Sequence, residues 1–172
     1  QDYEVYVRER KGETKKEVLR VEHLTTSKLK DVSFSLHKGE ILGVVGVIGA
    51  GKSEIARAIF GIDKLQKGNV VIGGKCGKPH CTTSITKGLA LVPEERRMQG
   101  LVPSFTVAEN ITLAYMDRFA RFSFMNRKKE RETAARHIEA LSIKTTGPHQ
   151  IIRYLSGGNQ QKVVLSKWLS GD

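Results

Sequence analysis

The chain moves between two hydrophobic periods. Val32, Phe34 and Leu36 alternate with Ser33, Ser35 and His37, the period of a half-buried strand that pairs antiparallel. Val18-Leu19-Arg20-Val21 begins an earlier strand, and His37-Lys38-Gly39-Glu40 turns the chain into the next. Ile41-Leu42-Gly43-Val44-Val45 is an apolar run of the kind found in strands buried on both faces. From Ser53 to Phe60 the period lengthens. Ile55/Ile59 and Ala56/Phe60 recur at i,i+4, which predicts a helix with that face toward a core, and Gly61 fits its C′ position. Asn69-Val70-Val71-Ile72 reads as a short strand ended by a Gly73-Gly74 turn, and Leu89-Ala90-Leu91-Val92 as a further buried strand closed by Pro93. Thr106-Val107-Ala108-Glu109 is a capping box that opens a helix with Ile111, Ala114 and Tyr115 on one side. Ala134, Ala135, Ile138 and Leu141 stripe a helix that Gly147-Pro148 ends. Val163, Val164, Leu165, Trp168 and Leu169 recur at helical spacing behind Ser156, a suitable N-cap.

Composition narrows the class. With 172 residues, 39% hydrophobic and 27% charged, the chain is globular and long enough for one domain. No apolar run reaches membrane-spanning length. The start, Gln1-Asp2-Tyr3-Glu4, has neither a signal-peptide pattern nor an initiator methionine, so a piece of a longer protein is expected. Two cysteines make no disulfide framework. Cys76, His80 and Cys81 offer three ligands without a partner pair and read as an ordinary surface turn. The net charge of +11 admits nucleic acid, an anionic surface or plain solubility. Its densest patch runs from Arg118 to Arg136, with Phe119, Phe122 and Phe124 at its start. Aromatics among basic residues can stack bases, but an amphipathic, solvent-facing helical element is the expectation here.

Candidate chemistry centres on Gly46-Val47-Ile48-Gly49-Ala50-Gly51-Lys52-Ser53, a G-x-x-x-x-G-K-S pattern set between an apolar run and a helix. Glycines let backbone N–H groups close around a phosphate chain, and the helix start adds unpaired donors and partial positive charge. Lys52 suits the β- and γ-phosphates and Ser53 suits Mg²⁺. Pro93-Glu94-Glu95-Arg96-Arg97-Met98-Gln99-Gly100-Leu101 follows a strand end, where open α/β sheets bind ligands; a solvated charged turn is the competing reading. Leu155-Ser156-Gly157-Gly158-Asn159-Gln160-Gln161-Lys162 is a second glycine loop opening into a helix, able to take an anion or simply to cap.

This last segment resembles the signature motif of ABC-transporter ATPases. Lys38 to Gly43, Leu91 to Arg97, Val107 to Ile111 and Trp168-Leu169 narrow the resemblance to the second nucleotide-binding half of simple-sugar importers of the ribose, galactose and xylose kind. The resemblance implies an α/β P-loop ABC ATPase cassette with an antiparallel β subdomain and a helical subdomain at about 102–165, preceded by a linker or arm over residues 1–17. ATP and Mg²⁺ would be held by Gly46, Val47, Ile48, Gly49, Ala50, Gly51, Lys52, Ser53 and Glu54. Glu94 stands where most members carry a glutamine that touches Mg²⁺ and the attacking water, so Lys52 and Glu94 are the catalytic candidates and Ser53 and Glu94 the metal ligands. Ser156, Gly157, Gly158 and Asn159 would meet the γ-phosphate on an opposing cassette. The stretch His23 to Lys30 lacks the aromatic that stacks on adenine in many members. Walker B, the catalytic glutamate and the switch histidine would fall past Asp172, so the chain is expected to be cut before Walker B and to bind nucleotide without turning it over. Implied partners are a second cassette in the same parent chain, membrane permease subunits and, indirectly, a periplasmic or extracellular sugar-binding protein. The implied place is the cytoplasmic face of the membrane, with no nucleic acid partner. A soluble ABC-type ATPase acting on nucleic acid or ribosomes, and a non-catalytic regulatory cassette, are the alternatives.

Overall fold

The computed structural model describes residues 4–6, 16–121 and 124–171. Most of the arm, and Phe122 of the basic patch, lie outside the described residues. The chain forms two compact units, Gln1–Leu91 and Val92–Asp172.

In the first unit the strands are β1 (Glu4–Tyr6), β2 (Glu17–Thr25), β3 (Val32–His37), β4 (Gly43–Val45), β5 (Lys67–Ile72) and β6 (Lys75–Gly77). The helices are α1 (Lys52–Phe60) and α2 (Cys81–Thr86). Four strands make an antiparallel sheet in the order β3-β2-β5-β6. Alternation places Leu19 and Val21 inside, and then the register shifts, so that the next buried residue is Leu24. The bulge centres on His23, at φ 50, whose N–H donates to Ser33 Oγ at 2.8 Å and whose Nδ1 lies 2.6 Å from Asp31 Oδ1. Gly68 lies against this bulge with φ +92. Helix α1 buries Ile55, Ala58, Ile59 and Phe60. Ile55 and Ile59 face the core as the spacing predicts, but Ala56 is exposed and Ala58 takes its place. Gly61 caps the helix at φ 91, donating to the Arg57 and Ala58 carbonyls. Together with Leu19, Val21, Leu24, Leu29, Val32, Val70 and Ile72, this face forms one hydrophobic cluster.

Two sequence expectations fail here. The run leading to the glycine loop is not buried on both faces: Ile41 is 94% exposed and Val45 60%. A central strand needs a neighbour on each edge and cover on each face, and among the described residues β4 pairs with β1 alone. Leu89 to Val92 is irregular rather than a strand, and no ladder partner lies beside it among the described residues.

The second unit holds α3 (Val107–Thr112), a 3₁₀ stretch over Leu113–Arg118, the hairpin β7 (Ala120–Arg121) and β8 (Phe124–Met125), α4 (Arg127–Ala140) and α5 (Gly157–Leu169). Helix α3 stops at Thr112, sooner than its stripe predicts, and Tyr115 leaves helical geometry altogether. Helix α4 ends at Ala140, before Gly147-Pro148, and Ser142 at φ 48 turns the chain away; Ala135 faces solvent. Leu101, Val107, Ala108, Ile111, Ala134, Ile143, Ile152, Leu155, Val163 and Val164 form the second core. Asn110 is buried inside it. Its Oδ1 accepts from Val102 N–H at 2.8 Å, and its Nδ2 donates to the Val102 and Thr106 carbonyls at 3.2 and 3.0 Å. Asn110→Ala strands the Val102 N–H, while the Val102 and Thr106 carbonyls keep bonds from the Phe105 and Asn110 N–H groups, so it should cost about 1–3 kcal/mol in urea unfolding.

The capping box forms as the sequence predicts. Thr106 Oγ1 accepts from Glu109 N–H at 3.2 Å, and Glu109 Oε2 accepts from Thr106 N–H at 2.9 Å. The bond from Thr106 N–H, with help from its hydroxyl and from Arg127, holds the Glu109 carboxyl below the ordinary range. A depressed folded pKa stabilises above the unfolded value and is lost as pH falls through the folded one. Thr106→Ala removes the cap hydroxyl and should cost about 1 kcal/mol at neutral pH. The gap from wild type in urea midpoint should shrink at acid pH, where Glu109 is protonated.

Candidate functional site

The glycine loop leaves β4 at Gly46 and enters α1 at Lys52. Gly49 and Gly51 sit at φ +83 and +89, in the left-handed region that glycine adopts without penalty, and Gly51 is the N-cap of α1. A Cβ on Gly46 would stand 3.0 Å from the Ala50 Cβ, so the loop doubles back tightly on itself. Ala50 N–H donates to the Val47 carbonyl at 3.1 Å across that turn. Val47 and Ile48 turn their side chains to solvent, so their backbone is what the loop uses. Lys52 curls over the cup, its Nζ donating to the Gly46 carbonyl at 2.8 Å and the Val47 carbonyl at 2.9 Å. Two neutral oxygens hold an ammonium that phosphate oxygens would hold more strongly. Ser53 is exposed on the first turn of α1. These features fit a phosphate chain and a hard cation: a cup closed by glycines, a positive helix end and a lysine within reach.

Glu54 completes the segment. Its carboxylate accepts from Lys28 Nζ at 3.1 Å, and that bond, followed by one from its own backbone N–H, holds its pKa down. An anion at the helix start would compete with Glu54 for that N–H. The stretch His23 to Lys30 brings no aromatic side chain beside the imidazole of His23, which Asp31 engages.

The structure groups Gly46 to Glu54 in the first unit, and Glu94 with Ser156 to Asn159 in the second. Ser156 takes the N-cap position of α5, but its hydroxyl makes no cap bond; it accepts instead from Asn159 Nδ2 at 2.9 Å. Asn159 Oδ1 in turn accepts from Lys144 N–H at 2.9 Å. Ser156 and Gly158 are exposed, so the start of α5 is open to an incoming group. Glu94 is exposed on the segment leading into a π-helical turn over Arg96–Gly100.

That turn is fastened to α5 in a way the sequence does not announce. Arg96 lies against the signature glycines: a Cβ on Gly157 would stand 2.5 Å from Arg96 Nη2. A Cβ on Gly100 would meet Val164 at 3.1 Å and Pro93 at 3.3 Å. Lys167 is buried, donates to the Gly100 carbonyl at 2.9 Å, and has its pKa pushed down by that burial. No spacing rule marks Arg96 or Lys167; only the small residue opposite each contact, Gly157 and Gly100, is visible in the sequence.

A glycine cup feeding a helix, an antiparallel sheet beside it and a separate helical unit with its own glycine-started helix define a P-loop nucleotide-binding cassette. The family model described as ABC transporter matches residues 29–172, and the chain belongs to that family. It is 44% identical over 154 residues to a putative ribose/galactose/methyl galactoside import ATP-binding protein of Agrobacterium fabrum, covering 87% of this chain and 30% of that one. It is 40% identical over 167 residues to a ribose import ATP-binding protein of Lactococcus lactis, covering 95% and 34%. A xylose import ATP-binding protein of Pectobacterium atrosepticum is 41% identical over 164 residues, covering 89% and 32%. The chain thus spans about a third of the length of these relatives. Among solved structures, a nucleotide-free ATP-binding cassette from an ABC transporter superposes with TM-score 0.69 at 21% identity, covering 90% of this chain and 65% of that one. A dimeric post-hydrolysis cassette bound to ADP and Pi gives 0.69 at 21% identity, covering 88% and 69%. The fold is that of an ABC ATPase cassette.

Proposed function

We propose that this chain is the ATP-binding part of a simple-sugar importer, in which ATP binding and hydrolysis drive a membrane permease. The observation that carries the reading is the Lys52 ammonium resting on the carbonyls of its own glycine cup, in a chain 40–45% identical to sugar import ATP-binding proteins. Gly46 to Gly51 give backbone N–H groups to the phosphates, and Lys52 leaves two carbonyls for the β- and γ-oxygens. Ser53 would hold Mg²⁺, with Glu94 as a second oxygen ligand. Bound there, the ion would supply charge neutralisation to the phosphates. Positioning and electrostatics, rather than covalent chemistry, then carry in-line attack by water.

Ser156, Gly157, Gly158 and Asn159 meet the γ-phosphate of an opposing cassette in this reading, and the exposed hydroxyl of Ser156 supports it. A second cassette, permease subunits and, through them, a sugar-binding protein are the partners, at the cytoplasmic face of the membrane. No helix among the described residues is long and apolar enough to cross a membrane. The reading is tested in cells whose own copy of the protein carries Lys52→Ala. Uptake of labelled ribose, galactose or xylose should fall for at least one of the three; unchanged uptake of all three contradicts it.

A further inference from the structure

The second unit holds a cavity of about 310 Å³ lined by the end of the 3₁₀ stretch, by α4 and by the end of α5. Arg118, Lys129, Arg136 and His137 line it, with Phe119 and Thr133 among them, and no carboxylate among the described residues does. Among the described residues, Arg118, Lys129 and Arg136 bond to neutral acceptors. Lys129 Nζ donates to the Arg118 carbonyl at 2.9 Å and stands 5.5 Å from the centre of the buried Phe119 ring. Arg136 Nη2 donates to Thr133 Oγ1 at 3.2 Å. Arg118 donates to the Gly171 carbonyl and lies over the Tyr115 ring at 5.1 Å. On the same helix but outside the cavity, Arg127 pairs with Glu109 and Glu130, and Lys128 with Glu132. Among the described residues, Arg118, Lys129 and Arg136, all exposed, therefore line one concavity without the counter-charge that Arg127 and Lys128 have. Like charges held together this way repel, and an anion seated among them relieves the repulsion. The volume suits a small ligand, and the apolar Phe119 floor suits one with a carbon body.

We propose that this cavity binds a phosphomonoester, held by Arg118, Lys129 and Arg136 with Thr133 as a further hydrogen-bonding partner. The phosphate belongs either to a soluble organic phosphate or to an anionic lipid headgroup. The site is separate from the glycine cup and does not depend on the transport reading.

The test uses the ¹⁵N-labelled 172-residue chain titrated with glycerol 3-phosphate. Amide shifts should centre on Phe119 and on Lys129 to His137. The double substitution Lys129→Gln/Arg136→Gln should weaken that binding about tenfold or more, since each lost charge-assisted bond is worth a factor of that order. Lys128→Gln/Arg131→Gln removes equal charge from exposed positions on the same helix and should leave it nearly unchanged. If the cavity double loses the dispersed spectrum of a folded chain, Arg136→Gln alone is read in the same way. Phosphatidylcholine vesicles containing phosphatidic acid form the second arm. Co-sedimentation lost only in the cavity variant assigns the phosphate to a lipid. Co-sedimentation equal in both variants, with the soluble shifts kept, assigns it to a free ligand. Equal losses in both doubles in both arms, shifts confined to Gly46 to Glu54, or no shift at all overturn the proposal.

Discussion

Lys52→Ala should weaken ATP binding to this chain by about tenfold or more, read by calorimetry at fixed ionic strength. In the free loop the Lys52 ammonium makes two bonds to neutral carbonyls, at 2.8 and 2.9 Å. With a triphosphate present, those become bonds between opposite full charges, worth about 1.5–3 kcal/mol against a neutral replacement. Each 1.4 kcal/mol is about a factor of ten in affinity. Lys52→Arg should not restore affinity, because a planar guanidinium cannot be seated as a point charge on the same two oxygens. Unchanged affinity in Lys52→Ala would mean that the loop is not the phosphate site.

Gly68→Ala should destabilise the first unit by about 3 kcal/mol or more. Two penalties add. Gly68 sits at φ +92, where an L side chain is strained. Its Cβ would also stand 2.4 Å from the His23 carbonyl oxygen and 2.5 Å from that of Glu22. Those atoms are backbone of β2, one of the two inner strands of the sheet, and cannot swing aside as a side-chain tip would. Gly74→Ala separates the two penalties, since it has φ +79 but nothing within 4 Å of the added carbon. It should cost only the left-handed term, about 1–2 kcal/mol. Urea unfolding followed by far-ultraviolet circular dichroism compares the two; equal midpoints would show that the bulge yields.

What the sequence announces and what it hides divide along physical lines. The β3 alternation, the α1 face through Ile55 and Ile59, the Gly61 cap and the Thr106–Glu109 box are all encoded within a few residues, and all form. The glycine cup is equally local, which is why its residues stand out unaided. The bulge at His23 is hidden because it needs a glycine more than forty positions away to make room for it. The exposure of Ile41 and Val45 is hidden because an apolar run says what it would bury against only when its neighbours are present. The basic patch was legible as charge. That it wraps a cavity, with Arg118, Lys129 and Arg136 unpaired among the described residues while Arg127 and Lys128 are paired, depends on the fold bringing the end of the 3₁₀ stretch, α4 and the end of α5 around one space. Likewise, the contacts of Arg96 and Lys167 with the glycines opposite them arise only once the Arg96–Gly100 turn is folded against α5.

In the proposed function one cup of backbone amides receives a triphosphate. Amide shifts of the ¹⁵N-labelled chain on addition of ATP test this most directly. The largest changes are expected at Gly49, Gly51, Lys52, Ser53 and Glu54, whose N–H groups line the loop and the first turn of α1. A folded chain whose amides from Gly46 to Glu54 stay still at saturating ATP, while others move, would contradict it.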